Sequence, residues 1–200
     1  MTNQLSTGRG AWSDLASLPA EDVAFAPISV GLVDAGTLPL PGSTALQVLD
    51  WLDLQEDSSL LVTGAVGAVG RIAAQIAVSR GVRMDAVAAR ESQIEGVLSL
   101  RAGSVVTDFA ELPARSYDRG FDTHGANASE QIRDGGRYAT IATQAGPSLD
   151  LATRGVISEL HQVRSDGECL RRLVELVDGA LVAPRVGPVF SVEDVVRARR

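Results

Sequence analysis

Aromatic side chains make up only 4% of this 200-residue sequence, and cysteine occurs once. So few aromatics argue against a β-sandwich core. The 20 glycines, beside abundant Ala, Val and Leu in a chain that is 45% apolar, fit a closely packed α/β layer protein instead. Cys169 has no partner for an intramolecular disulfide and the N-terminus lacks the apolar core of a signal peptide, so a cytoplasmic location is expected. Charges and glycines interrupt every Val/Leu/Ala stretch well short of the ~20 residues a membrane span needs. A basic excess is missing too. With 25 acidic against 18 basic residues and a net charge of −7, nucleic acid and anionic membranes are poor partners and a small molecule is the expected ligand. His124, His161 and Cys169 have no metal-ligand spacing, and no phosphate loop ending in GK[ST] is present.

The length suits one well-buried domain with a small appendage. Residues 1–40 are poorly periodic and carry Gly8, Gly10, Pro19, Pro27, Gly31 and Gly36, which predicts an arm of turns and extended pieces rather than helices. Residues 41–200 form the main domain. Ser43 or Thr44 is expected to cap a helix running to about Leu52, followed by an apolar strand from Leu60 to Thr63. Val69, Ile72, Ala73, Ile76 and Ala77 then show the spacing of a helix with one buried face, stopped by Gly81. Strands are predicted at Val82–Ala89 and Ser104–Thr107, weakly at Gly120–Thr123, and at Arg137–Thr143. A helix is predicted at Ser92–Leu100, a polar helix at Ser129–Asp134, and a turn at Gly135-Gly136. Beyond these, Gly167–Val177 and Ser191–Arg200 read as helices. The alternation is that of a doubly wound parallel sheet of Rossmann type.

Between the first strand and its helix, Gly64, Gly67 and Gly70 are spaced three apart rather than as GxGxxG, yet the mechanics of a dinucleotide turn carry over. The first permits the sharp turn, the second lets the backbone approach a pyrophosphate, and the third allows the helix to pack on the sheet. The phosphates would lie at the helix N-terminus. Chance spacing in a Gly/Ala-rich chain is the alternative, and the flanking strand and helix weigh against it. Where NAD-binding proteins carry an acidic residue after the second strand, this chain reads Ala88-Ala89-Arg90-Glu91-Ser92. Arg90 and the Ser92 hydroxyl suit a 2′-phosphate and favour NADP(H), whereas a Glu91 facing the ribose would admit NAD. A solvated surface role for Arg90 stays open.

Five stretches taken together are similar to the zinc-independent branch of the medium-chain dehydrogenase/reductase superfamily, the quinone oxidoreductases and polyketide enoyl reductases. They are Gly10-Ala11-Trp12 with Leu18-Pro19-Ala20-Glu21-Asp22; residues 38–47 (LPLPGSTALQ); the glycine turn; Phe121-Asp122-Thr123-His124-Gly125; and Gly135-Gly136-Arg137. The resemblance implies that Thr44, Ala68 and Val69 touch the cofactor and that Ala142 and Thr143 border the nicotinamide. It sets Phe109 where many relatives have a tyrosine near the adenosine phosphate, and Ser92 where several have a lysine, both of which would weaken phosphate binding. Relatives begin with a GroES-like catalytic domain, of which residues 8–37 look like the last segment. The resemblance also implies a dimer formed through an edge strand, here Val186–Phe190.

His124 follows the end of a predicted strand, where ligands gather in open α/β sheets, and is the one candidate for proton transfer; a hydrogen-bonded loop histidine is the alternative. Asp122 and Cys169 read as structural, and Tyr138 and His161 have no assigned role. Two functions follow: an NADPH-dependent reductase of an enone, quinone or polyketide-like substrate, or a reductase-derived protein without redox turnover, serving as a cyclase, isomerase or binding partner.

Overall fold

The computed structural model describes residues 15–142 and 151–194. Six parallel strands, β1 (Ser59–Thr63), β2 (Arg83–Val87), β3 (Val105–Val106), β4 (Tyr117–Asp122), β5 (Ile132–Thr140) and β6 (Ile157–Leu160), form one sheet in the order β3-β2-β1-β4-β5-β6. The sheet is thus an α/β Rossmann-type one, and its strand order reverses between β1 and β4. The helices are α1 (Leu32–Ala35), α2 (Pro39–Trp51), α3 (Ala68–Ser79), α4 (Ile94–Leu98) and α5 (Gly167–Asp178).

Every residue of β1 is buried. Successive side chains point to opposite faces, so Leu60 and Val62 join the larger cluster, while Leu61 joins a smaller one with Tyr117, Ile132 and Tyr138. Leu46, Leu49, Ile72, Ile76, Leu173 and Val177 line the larger cluster from α2, α3 and α5. A strand buried on both faces is apolar along most of its length, which is why Leu60–Val62 of β1 was legible as a plain hydrophobic run.

Several boundaries differ from the sequence expectation. Helix α2 starts at Pro39, and Ser43 and Thr44 are buried within it instead of capping it. Prolines in the first turn lack only amide hydrogens that would have no intrahelical acceptor, so Pro39 and Pro41 open the helix rather than preceding it. Together with α1, this puts helix where turns were expected, and α2 runs across the 40/41 boundary. The fourth strand is not a weak fragment but six residues long. The polar helix at Ser129–Asp134 is a 3-10 turn, Ala128–Gln131. Strand β5 then begins at Ile132 and passes through Gly135 and Gly136, with a register shift against β4, so no turn separates them. It ends at Thr140; Thr143 lies outside the described residues. Strand β6 was not foreseen. Helix α4 starts at Ile94 after a 3-10 turn over Glu91–Gln93. The stretch Val186–Phe190 does not join the sheet, whose edge strands are β3 and β6. Of the last expected helix, Val192–Asp194 forms a 3-10 turn and the residues after 194 lie outside the description.

The C-terminus of α2 illustrates how polar residues lock the layers. Its final carbonyls need donors. Arg137 donates to the Trp51 carbonyl at 2.5 Å with its guanidinium 5.8 Å from the Trp51 ring centre, and Arg119 donates to the Leu52 carbonyl at 2.5 Å. The arm lies along α5: the amides of Ile28 and Ser29 donate to Asp178 Oδ1, and Gly167 faces the Glu21 and Val23 carbonyls too closely for any side chain. Asp166 caps α5 by accepting from the amides of Glu168 at 2.9 Å and Cys169 at 3.0 Å. Asp166→Ala should therefore lower stability by about 1 kcal/mol, read as a shift in urea midpoint at constant slope.

Among the described residues no helix is long and apolar enough to cross a membrane.

Candidate functional site: the crevice between the β1 and β4 loops

The chain leaves β1 through Gly64, whose φ of +68° belongs to the left-handed region and whose missing Cβ leaves room for Thr123 Oγ1, 2.5 Å from where that carbon would stand. The Gly64 carbonyl turns back to accept from the Gly67 amide at 2.9 Å. Gly70 lies against the Gly64 carbonyl and Ala65 Cα, leaving no space for a side chain. Gly67 is the N-cap of α3, with φ −71° and ψ 170° and no side chain to cover the helix end. The amides of the first turn therefore point outward unfilled, which is the electrostatic arrangement that favours an anion. Ala68 is exposed there, and Val69 packs partly on the core.

Across the switch point, the β4 loop is organised by Asp122, which is fully buried. Its Oδ1 accepts from Thr63 Oγ1 at 2.5 Å and from the amides of His124, Gly125 and Ala126 at 3.0, 2.8 and 3.2 Å. Its Oδ2 accepts from the Asn127 amide at 2.8 Å and the Tyr138 hydroxyl at 2.9 Å. Burial alone would raise the carboxyl's pKa, but the donors from Thr63, Asn127, His124 and Tyr138 outweigh it and hold the group below the ordinary carboxylate range. Tyr138, which accepts from the Ala128 amide, is held protonated far above its usual range by burial and by the Asp122 charge. Thr123 ties the two loops together through its Oγ1, which donates to the Thr63 carbonyl at 2.7 Å.

His124 stands on this loop with its Cβ against Gly64, and its ring is exposed. Arg90, Glu91 and Ser92 are exposed at the end of β2, and no carboxylate pairs with Arg90 among the described residues. Gly96 of the α4 segment that follows approaches Val66 of the turn. Ala142 donates its amide to Thr140 Oγ1 at the end of β5. The sequence-derived set is thus partly gathered: Gly64, Gly67, Ala68 and Gly70 form the turn from β1 into α3, His124 stands on the β4 loop against Gly64, and Arg90 and Ser92 follow β2. Two residues make structural contacts of their own. Thr44 is buried in α2 and donates to the Leu40 carbonyl at 2.8 Å, and Phe109 is half-buried against the smaller core cluster. Cys169 is a buried packing residue, its thiol pushed up first by desolvation.

Sequence reasoning assigned no role to two polar residues near the sheet's C-terminal half and the turn. His161 follows β6 and bonds through Nδ1 to Glu159 at 2.7 Å. Arg71 lies one turn into α3 and carries no sequence signal of its own. The absence of lysine from the chain was the available signal, because arginine must then supply every cationic contact.

A parallel sheet with a glycine turn and open helix end at its switch point is the Rossmann-type arrangement of α/β proteins. Solved structures of the same arrangement are members of the medium-chain dehydrogenase/reductase superfamily, and the chain has the cofactor-binding fold of that superfamily. An alcohol dehydrogenase superfamily protein from Novosphingobium aromaticivorans superposes with a TM-score of 0.74 at 26% identity, over 88% of this chain and 60% of that one. The quinone oxidoreductase from Thermus thermophilus, solved also in complex with NADPH, gives 0.74 at 25% identity, over 88% of this chain and 64% of its own. Acetophenone reductase from Geotrichum candidum in complex with NAD gives 0.74 at 18% identity, over 88% and 53%. The chain thus spans less than two thirds of the length of these structures. No family model matches it.

Proposed function

We propose that the crevice between the β1 and β4 loops binds a nicotinamide dinucleotide, NADPH in preference to NADH, and that the chain serves a zinc-independent reduction of an enone, quinone or polyketide-like substrate. The carrying observation is the uncapped N-terminus of α3, reached through a turn in which Gly64 and Gly70 each meet a backbone constraint. The backbone cradle fits a diphosphate, and the cofactor would supply the hydride. The chain's own part is to bind and orient: the Asp122-ordered loop fixes His124 beside Gly64, and the unpaired Arg90 offers a fork-shaped partner for a 2′-phosphate. Complexes of the T. thermophilus and G. candidum relatives with NADPH and NAD support nicotinamide binding at the level of the fold.

Titration of the protein with NADPH and, separately, NADH tests this reading. Gly67→Asp is a well-matched control, because aspartate is a favoured N-cap at the φ and ψ of Gly67 while its carboxylate occupies the place of the phosphates. NADPH binding should be abolished in Gly67→Asp without loss of the fold, and weakened about tenfold in Arg90→Gln with NADH unaffected. Wild-type protein that takes up neither nucleotide would sink the proposal and leave the fold to a function without redox turnover; equal affinities would remove the preference for NADPH.

A further inference from the structure

The arm and α1 leave a row of large apolar side chains in water. Phe25 is 95% exposed, Ile28 94%, Leu32 79% and Val33 60%. Phe25 and Leu32 border a hollow of about 270 Å³ between the arm, α1 and α5, whose walls include Pro27, Leu38, Leu173 and Val174. Every side chain lining it belongs to Ala, Val, Leu, Phe or Pro. Small-molecule sites fix their ligands with a few placed polar groups, and no lining side chain of this hollow supplies one, so it suits an apolar side chain instead.

A single aromatic ring buries about 150–250 Å² when it is covered. With Ile28, Leu32 and Val33 added, the patch is on the order of 500 Å², at the upper end of what a soluble monomer leaves in water. Homodimer interfaces are about 65% apolar, so such a patch is the apolar part of a face on the order of 800 Å², the share each partner gives to a standard interface. The fit to a second copy lies in the arrangement. A two-fold contact uses the same patch on both subunits and must therefore carry its own complement. Here the projecting Phe25 and Ile28 adjoin, on one face, the hollow that would receive such a side chain. Charge selects no other partner, because no charged residue lines the hollow, and two copies meeting here bring no like charges into its centre.

We propose that this face is a two-fold interface with a second copy of the chain, in which Phe25 of each protomer, with Ile28 beside it, enters the hollow between the arm and α5 of the other. The contact is made by the arm, α1 and α5 and by neither edge strand of the sheet, β3 or β6. Sedimentation equilibrium at protein concentrations of about 1–100 μM tests it on wild type, Phe25→Asp, Ile28→Asp and Ile157→Lys. Wild type should dimerise in this range. Phe25 and Ile28 are almost wholly in water, so both aspartate variants should keep the wild-type far-UV circular dichroism while dimerisation weakens about thirtyfold or more, the effect of removing a central anchor. Ile157, exposed on β6, is the control, and Ile157→Lys should dimerise as wild type does. A wild type that stays monomeric at the highest concentration overturns the proposal and leaves the face to a different protein. A folded Phe25→Asp or Ile28→Asp that dimerises as tightly as wild type overturns it too. So does a dimer that Ile157→Lys breaks, which would put the contact on the sheet edge.

Discussion

Asp122→Ala should cost about 3–5 kcal/mol of folding stability, because it leaves the Thr63 and Tyr138 hydroxyls and four loop amides without their common acceptor. Asp122→Asn separates charge from shape. It keeps one acceptor oxygen but turns an NH₂ group toward the Asn127 amide, so it should be destabilised less than alanine at neutral pH. Its pH dependence carries the sign of the effect. A carboxyl whose folded pKa is depressed contributes stability above its unfolded value of about 3.9, and that contribution is lost as pH falls through the folded pKa. The wild-type advantage over Asp122→Asn should accordingly be full at pH 6 and shrink below about pH 4, measured by urea unfolding across that range. Parallel stability curves would mean that Asp122 is not held as a carboxylate.

The same residue shows where reading the sequence stops. Asp122 could be taken as a structural residue from its place at a strand end, but its six donors come from β1, β5 and its own loop, and only the folded sheet assembles them. The segment from Leu60 to Ala77 was legible because its signals are local: a strand buried on both faces, glycines at the turn, and a 3.6-residue stripe. The opening of β5 was not. Gly135 and Gly136 read as punctuation, yet Gly136 lies where Ile132 and the Asp118 carbonyl leave no room for a Cβ, and Gly120 on β4 makes way for Ile132 and Tyr138 in the same fashion. Those glycines mark close approach inside a sheet rather than its interruption. Strand β6 escaped for another reason. Ile157, Ser158 and Leu160 are exposed on an edge strand, so there was no apolar run to find.

At the site, the legible part was backbone chemistry and the illegible part was side-chain partnership. Spacing together with the flanking strand and helix distinguished Gly64, Gly67 and Gly70. Nothing in spacing told Thr44 that its hydroxyl would be spent on its own helix, or separated the ion-paired Arg80 from the unpaired Arg71 nine residues before it. Phe109 illustrates the same limit, since an aromatic residue after a strand end serves a small core as readily as a ligand.

The three glycines of the turn are unequal, and substituting them should separate fold from binding. Gly70→Val should cost about 3 kcal/mol or more, because the new Cβ meets the Gly64 carbonyl and Ala65 Cα, backbone atoms that cannot swing aside. The remaining relief is to lift α3 off β1, which would withdraw Ile72, Ala73, Ile76 and Ala77 from the core and carry the α3 N-terminus away from the β4 loop. Unfolding of Gly70→Val should thus come at clearly lower urea, with nucleotide binding lost in the folded fraction as well. Gly67→Asp should behave oppositely: its Cβ meets only the Gly64 carbonyl, at 3.2 Å, its backbone angles suit any residue, and an aspartate N-cap offsets the contact. Near-wild-type stability with abolished binding at position 67, beside lost stability at position 70, would assign anion approach to the middle glycine and helix packing to the last. A Gly67→Asp protein as unstable as Gly70→Val would overturn that division.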